Sequence, residues 1–319
     1  MSYLAISTQI QKATRIAILG HRNGDADCYG SAFALAQMLW SLGKHTDVVS
    51  GENVPENMDY LFFYFDGVVL DHIAEDVDLL FVVDSSDLER VSLPQELRDY
   101  LAQGKKLVCL DHHPIGDISE VSEASVIRST ACSTSELVFD LGETLGIELN
   151  KNMATCILAG IIGDTSGFQN QSTNQECLEI AATLMKKGAR LKTIINHTFG
   201  NKDVDSLKLW GLAMERLSVN QEYGTVTTYL THDDIVRFGL SGEAISGIVN
   251  YLNSVKGARM VVLVTEEEPG QIKVSFRTRD EKMNVSALAR QIGGGGHVKA
   301  SGLSFSGRLI VEGNSVTIV

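Results

Sequence analysis

The sequence predicts an α/β protein: an N-terminal domain with a parallel sheet flanked by helices, followed by a smaller α+β C-terminal domain. Three observations carry that expectation. Short, almost wholly apolar runs in the first half have the pattern of strands buried on both faces of a parallel sheet. Stretches with helical spacing of apolar residues lie among and after them, as an α/β layer arrangement requires. After about Ile195 the texture changes to alternating, strand-like runs separated by turn residues.

In chain order, Arg15 to Gly20 (RIAILG) is the first expected strand and Ser31 to Leu42 the first helix. Thr46 to Ser50, Leu79 to Val83 (LLFVV) and Lys106 to Leu110 (KLVCL) are the next strands. Helical spacing returns at Ser133 to Leu145, Lys151 to Ile162 and Gln175 to Lys187, with Asn174 suited to cap the last and Gly188 to stop it. Asp203 to Leu217 predicts an amphipathic helix with Leu207, Trp210, Leu212, Met214 and Leu217 available for burial. Thr225 to Leu230, Arg259 to Thr265 and Gln271 to Arg277 read as strands, with hairpin-turn chemistry at Glu266 to Gly270. A short helix, Ser286 to Ile292, leads into Gly293 to Gly296. The expected boundaries are 1–196 for the first domain, 197–219 for a connecting helix and linker, and 220–319 for the second.

At 319 residues and 44% hydrophobic composition, two domains with ample core are expected. The longest near-apolar runs fall far short of a membrane span. The N-terminus lacks the pattern of a secretory signal, so a cytoplasmic protein with no membrane partner is expected. The five cysteines (Cys28, Cys109, Cys132, Cys156, Cys177) form no CxxC pair and are expected as buried small hydrophobes in a reducing compartment. A net charge of −13 argues against a grip on long duplex nucleic acid, which needs a basic face. A short anionic substrate is still open, because carboxylates that hold a metal are neutralised by it.

In an open parallel sheet, ligands collect beyond the carboxyl ends of the strands. His21 follows RIAILG, Asp84 follows LLFVV and Asp111 follows KLVCL, while Asp164 ends an apolar helical stretch in Gly163-Asp164-Thr165-Ser166-Gly167-Phe168. The ligand arithmetic then works for two divalent cations. His21, Asp25 and Asp84 serve one, Asp27, Asp84, His112 and Asp164 serve the other, and Asp84 bridges. Mixed carboxylate and imidazole ligation suits Mn2+, with Mg2+ a poorer fit, and the lack of thiolate disfavours structural zinc. Such a pair lowers the pKa of a shared water and clamps the oxygens of an in-line displacement at phosphorus. Each piece alone has an ordinary explanation. An Asp after a strand is usually a helix cap, and four glycines are usually a linker. His45, His72, His197 and His232 have no partner in the pattern. The conjunction of four motifs in order, three at strand ends, outweighs the separate explanations. Towards the C-terminus, consecutive glycines can converge backbone N–H groups on an anion. Of the nearby cations that could grip a second phosphate or stack on a base, Arg277 is the one expected to, since it alternates onto the same strand face as Ser275; Arg279 reads equally as a solvated strand residue and Lys299 as a rim residue.

Taken together, these residues resemble the DHH phosphoesterase superfamily over essentially the whole chain. The resemblance rests on His21-x-x-x-Asp25-x-Asp27, Asp84, Asp111-His112-His113 and Asp164, then Ser275-Phe276-Arg277, Gly293 to His297 and Ala300-Ser301-Gly302. It implies the metal assignment above, with Asp84 catalytic, Asp111 orienting its neighbours and His113 contacting the scissile phosphate. It also implies a DHH-associated C-terminal domain that closes over the site and binds the nucleotide through Ser275, Arg277, Gly294, Gly295, Gly296 and His297. One departure is Gly24, where the family usually has proline, but no ligand is missing. Length and domain content are most similar to the bifunctional oligoribonucleases of the superfamily. The implied activity is manganese-dependent hydrolysis of two- to five-nucleotide RNAs to mononucleotides, and of 3′-phosphoadenosine-5′-phosphate to AMP and phosphate. The alternatives are a pyrophosphatase or polyphosphatase, a linear-dinucleotide phosphodiesterase, and a non-catalytic nucleotide-binding regulator. A homodimer is left open.

Overall fold

The computed structural model describes residues 2–319 apart from 201, 241, 246, 297, 313 and 314. It divides into two compact units, Met1–Gly200 and Asn201–Val319. In the first, helix α1 (Tyr3–Lys12) precedes strand β1 (Arg15–Leu19), helix α2 (Ala26–Ser41) and strands β2 (His45–Val49), β3 (Val69–Leu70) and β4 (Leu79–Val83). Helix α3 (Pro94–Ala102), strand β5 (Lys106–Asp111), helix α4 (Ile118–Val121) and strand β6 (Ala124–Ile127) follow, then helices α5 (Thr134–Thr144), α6 (Lys151–Asp164), α7 (Gln175–Lys186) and α8 (Leu191–Ile195). The strands form one parallel sheet in the order β3-β2-β1-β4-β5-β6.

Strand β4 shows why the sheet is covered on both sides. Every residue of LLFVV is buried. Leu79, Phe81 and Val83 point into a core shared with α2, α5 and α6. Leu80 and Val82 point to the opposite face, against Leu97 and Tyr100 of α3. Burial of such side chains contributes roughly 1.5–3 kcal/mol each, so the alternation holds two layers of helix on one strand.

Four apolar runs read as strands in the sequence are strands. The edge strands β3 and β6 are short and bring no apolar run to announce them, and α1 and α3 are further elements the periodicity does not single out. Helix α2 starts at Ala26 rather than Ser31, because Asp25 caps it by accepting from the Asp27 and Cys28 N–H groups. Helix α2 packs along α6 through its smallest residues. A Cβ at Gly30 would lie 2.6 Å from the Cys156 carbonyl, and one at Gly163 would lie 2.7 Å from Ala26 Cβ.

The second unit holds helices α9 (Val204–Glu215), α10 (His232–Arg237), α11 (Ile248–Leu252) and α12 (Val285–Gln291). Its strands are β7 (Ser218–Asn220), β8 (Thr225–Leu230), β9 (Met260–Glu268), β10 (Gln271–Arg277), β11 (Gly295–Gly296), β12 (Ala300–Ser306), β13 (Leu309–Glu312) and β14 (Ser315–Ile318). The main sheet runs β11-β12-β10-β9-β8-β7, with β8 and β9 parallel and the other pairings antiparallel. One face carries α9, α10 and α11 over Val226, Leu230, Val261 and Leu263; the other carries α12 over Val274 and Phe276.

Two expectations change here. Helix α9 buries Leu209 and Ala213, one turn apart, while Leu207 is 53% exposed; Trp210, Leu212, Met214 and Leu217 are only partly buried. The buried stripe is narrower than the sequence offers, with Ala213 held to the sheet through its carbonyl, which accepts from the Thr228 hydroxyl of β8. The β9–β10 turn is also tighter than Glu266 to Gly270, with Gly270 at φ 79°. Glu266 is buried and accepts from the Gly270 and Leu309 N–H groups, which ties the C-terminal hairpin to β9. No helix of the described residues is long and apolar enough to cross a membrane, and all five cysteines are buried and unbridged.

Candidate metal centre

The carboxyl ends of β1, β4 and β5 deliver His21, Asp84 and Asp111-His112-His113 to one rim of the first unit. The N-terminus of α2 adds Asp25 and Asp27, and the last residue of α6 adds Asp164. Three sets of ligand atoms lie within 4.8 Å of one another: His21, Asp25 and Asp84; Asp27, His112 and Asp164; and Asp84, His112 and His113. All six residues read from the sequence as ligands are therefore gathered, and His113 joins them.

Asp84 stands between the sets, and its two oxygens face different ways. Oδ2 is 3.4 Å from His21 Nε2, whereas Oδ1 is 3.6 Å from both His112 Nε2 and His113 Nδ1. His112 Nε2 also lies 3.0 Å from Asp164 Oδ2, and His21 Nε2 lies 3.8 Å from Asp25 Oδ1. Asp84 is held at φ 59° and nearby Asn23 at φ 53°, a left-handed backbone that non-glycine residues avoid. Such outliers persist where the surroundings over-determine them. Strand β4 ends in the core, and Asp84 N–H donates to the Leu110 carbonyl, so the turn that aims the carboxylate is clamped between two buried strands.

The charges explain one another. Burial pushes the Asp27 carboxyl well above its usual range, and the Asp84 and Asp164 charges add to that. Burial works against Asp84 too, but hydrogen bonding to His21 and the charges of His21, His113 and His112 outweigh it and hold its pKa low. The His112 imidazole is the mirror case: burial lowers it, and Asp164, Asp84 and Asp27 raise it well past its usual value. Four carboxylates packed this closely draw positive charge to themselves. Oxygen and imidazole donors without a thiol in any set fit hard or borderline divalent cations.

A second layer of contacts was not legible in the sequence. Ser133 caps α5, and the first N–H groups of that helix, from Thr134 and Ser135, donate to Asp27 Oδ2 at 2.5 Å and Oδ1 at 2.9 Å. The Thr134 hydroxyl donates to Asp84 Oδ1 at 3.0 Å. One helix end thus fixes carboxylates from two sets, and its positive dipole end favours their charge. The Ser133 to Glu136 run does read as a helix start, but nothing local says where its N–H groups point. Thr134→Val removes the hydroxyl and keeps the shape. It is expected to weaken cation binding about 10- to 100-fold, measured by Mn2+ titration calorimetry, with the fold unchanged by circular dichroism.

Asp111 is buried and orients His113, whose backbone N–H and Nδ1 lie 3.2 and 2.9 Å from Asp111 Oδ1. Asp25 has the ordinary role as well, capping α2 with the oxygen nearest His21. His197, without a partner in the sequence pattern, is stacked on Tyr60 at 4.6 Å between ring centroids.

In the second unit, the Arg277 guanidinium donates to Asn250 Oδ1 and to the Phe276 carbonyl. It has no carboxylate partner among the described residues, and burial pushes it down to about 10. Ser275 is half-buried on the same strand. Gly296, at φ 125°, and Gly294, where a Cβ would come 2.3 Å from the Gly302 carbonyl, need to be glycine; a Cβ at Gly295 would meet nothing within 4 Å. His297 lies outside the described residues. Lys299 serves the loop beside it, in keeping with the rim position expected of it. Its ammonium is spent on the carbonyls of Asp280, Glu281 and Met283, where it ties a loop together instead of facing a phosphate. Arg279 is exposed.

Comparison with known proteins matches residues 15–161 to the DHH family, N-terminal domain, and residues 224–312 to the DHHA1 domain. The bifunctional oligoribonuclease and PAP phosphatase NrnA of Bacillus subtilis is 28% identical over 287 residues, 89% of this chain and 87% of that protein. The protein of the same name from Thermus thermophilus is 27% identical over 92% of this chain and 84% of its own. The crystal structure of an exopolyphosphatase-related protein from Bacteroides fragilis superposes with a TM-score of 0.86 at 25% identity, covering 95% of this chain and 90% of that one.

Proposed function

The chain belongs to the DHH family, its DHH domain followed by a DHHA1 domain, and on that premise we propose that it hydrolyses phosphoester bonds of short oligoribonucleotides and of 3′-phosphoadenosine-5′-phosphate with two divalent cations, Mn2+ first among them. The observation that carries the reading is Asp84, whose two oxygens face separate ligand sets. The names of the Bacillus and Thermus relatives favour these two substrates over pyrophosphate.

In this reading His21, Asp25 and Asp84 hold one cation, and Asp27, Asp84, His112 and Asp164 the other. When bound, such a pair activates water and screens the phosphoryl oxygens. The protein's own groups do the rest. Asp84 ties the two sets at a fixed separation. The Thr134 and Ser135 N–H groups keep Asp27 aimed. Asp111 holds the His113 ring by Nδ1, so that the imidazole can meet the scissile phosphate in one orientation. We assign substrate binding to Ser275, Arg277, Gly294, Gly295, Gly296 and His297 of the DHHA1 domain. A half-buried guanidinium with no carboxylate partner among the described residues favours an anionic partner.

The test is a hydrolysis panel with metal-stripped protein, given Mn2+ or Mg2+, on a diribonucleotide, 3′-phosphoadenosine-5′-phosphate, a cyclic dinucleotide, pyrophosphate and an aryl phosphate ester. Turnover of the first two with Mn2+ and none without a cation is the expected result. Turnover of pyrophosphate alone would overturn the nucleotide reading. On the same panel, Arg277→Ala is expected to lose at least about tenfold on the nucleotides, as loss of a charge-assisted hydrogen bond predicts, and much less on the aryl ester. Equal losses on both would remove Arg277 from substrate binding.

A further inference from the structure

This inference rests on the nucleotide reading of the preceding subsection. We propose that the ring of Phe199 is a stacking platform for a nucleobase, placed beside the Asp164 end of the metal centre by a loop built to hold it there.

The loop begins at Asp164, the last residue of α6. Thr165 is fully buried, donating from its hydroxyl to the Ile161 carbonyl and accepting from the Phe168 N–H. Ser166, Gly167 and Phe168 then take three successive left-handed conformations, at φ 52°, 70° and 65°. The Asn170 side-chain amide closes the turn by donating to the Asp164 carbonyl at 2.6 Å. Two of those three residues are not glycine, so the turn is held against local preference, a pattern that gathers at binding and catalytic sites.

Phe199 lies against this turn. A Cβ at Gly167 would come 3.1 and 3.3 Å from two of its ring carbons, so the ring rests on the glycine backbone. The ring belongs to a single π-helical turn, Asn196–Gly200. Turns of that kind are rare and recur at functional sites. The stack of His197 on the buried Tyr60 pins the turn to the first unit. Phe199 nonetheless stays 44% exposed. A lone exposed phenylalanine needs no explanation. An exposed ring that rests against the loop carrying a proposed metal ligand, on a turn itself anchored by a buried stack, is a different case. Gly167 lies three residues on from Asp164, a span of at most about 11 Å even if extended and less in a turn, comparable with the distance between a phosphate and its own base.

Stacking is tolerant of base identity, which suits an enzyme that must accept any short RNA. It does nothing for pyrophosphate, so Phe199 would discriminate within the substrate classes that the metal centre alone treats alike.

The experiment measures kcat and KM for wild type, Phe199→Ala, Phe199→Leu and Phe199→Trp on 3′-phosphoadenosine-5′-phosphate and on its abasic analogue, by phosphate release. Binding of a 2-aminopurine dinucleotide, read by fluorescence quenching, is measured in parallel. Phe199→Ala is expected to raise KM for the adenosine compound about tenfold, within the range for loss of one stacked base, with kcat and the abasic substrate within twofold of wild type. Phe199→Trp should restore both KM and quenching, and Phe199→Leu should not. If Phe199→Ala loses equally on the abasic analogue, or leaves KM for the adenosine compound unchanged, the platform is refuted while the phosphoesterase reading stands. If the wild type turns over neither compound, the failure belongs to the proposed substrates, and an unquenched 2-aminopurine signal in wild type would then refute the platform separately.

Discussion

Asp84→Asn is expected to abolish turnover, by at least about a thousandfold, while the protein stays folded. Charge stabilisation by a cation at phosphorus is worth several kcal/mol, and each 1.36 kcal/mol is a factor of ten in rate. Asparagine is the informative replacement. It tolerates the left-handed backbone at φ 59°, and its side-chain oxygen can still accept from Thr134. What it loses is the charge shared between two ligand sets. The His21, His113 and His112 charges hold the Asp84 pKa low, so its carboxylate stabilises the fold, and Asn should lower the melting temperature at neutral pH without added cation, partly offset by relief of its repulsion of Asp27. The increase in melting temperature that Mn2+ gives the wild type should be largely lost. Near-normal rates for Asp84→Asn at saturating Mn2+ would show that no shared carboxylate is needed, and the bridge would have to be abandoned.

Gly160→Ala is expected to cost activity without touching any ligand. Gly160 lies on α6, where a Cβ would fall 2.0 Å from Ser135 Oγ and 2.5 Å from Asp27 Oδ1. Three elements meet at this point: α6, the start of α5 and the start of α2. No flexible side chain can move aside without disturbing Asp27, so the added methyl must push a helix. Overpacking of this kind costs about 1–3 kcal/mol. Because it shifts a carboxylate, a displacement near 1 Å would lower kcat/KM about a hundredfold. The readouts are the melting temperature, the Mn2+ concentration for half-maximal activity, and kcat/KM. An unchanged Mn2+ requirement would mean that the helix yields without moving Asp27. Gly211→Ala is the matched control, since a Cβ there would meet nothing within 4 Å.

These two residues mark the line between what could be read from the sequence and what could not. Asp84 was legible because it directly follows five apolar residues, and a polar group at a strand end in a parallel sheet has few places to go. His21 and Asp111 follow the same rule. Gly160 was invisible, because its requirement comes from residues 25 and 133 positions away. Thr134 was half visible: its helix start shows in the sequence, but the carboxylates it serves lie 107 and 50 residues upstream. In the second unit the β-strands were legible from alternation, yet the buried face of α9 was not. There the choice between Leu207 and Leu209 depends on which side the sheet lies. Lys299 was legible as a residue outside the phosphate contacts, but the three carbonyls that hold its ammonium were not.

The ligand sets draw on residues from His21 to Asp164, most of the length of the first unit, whereas a local loop site draws on a dozen neighbours. Ions bound there would grip the far ends of that unit's chain at once, so no part of it could open without releasing them. Chelation should therefore speed amide exchange throughout residues 15–164 together, in place of loosening one loop. The second unit, with cores of its own, should exchange at the same pace with or without the metal.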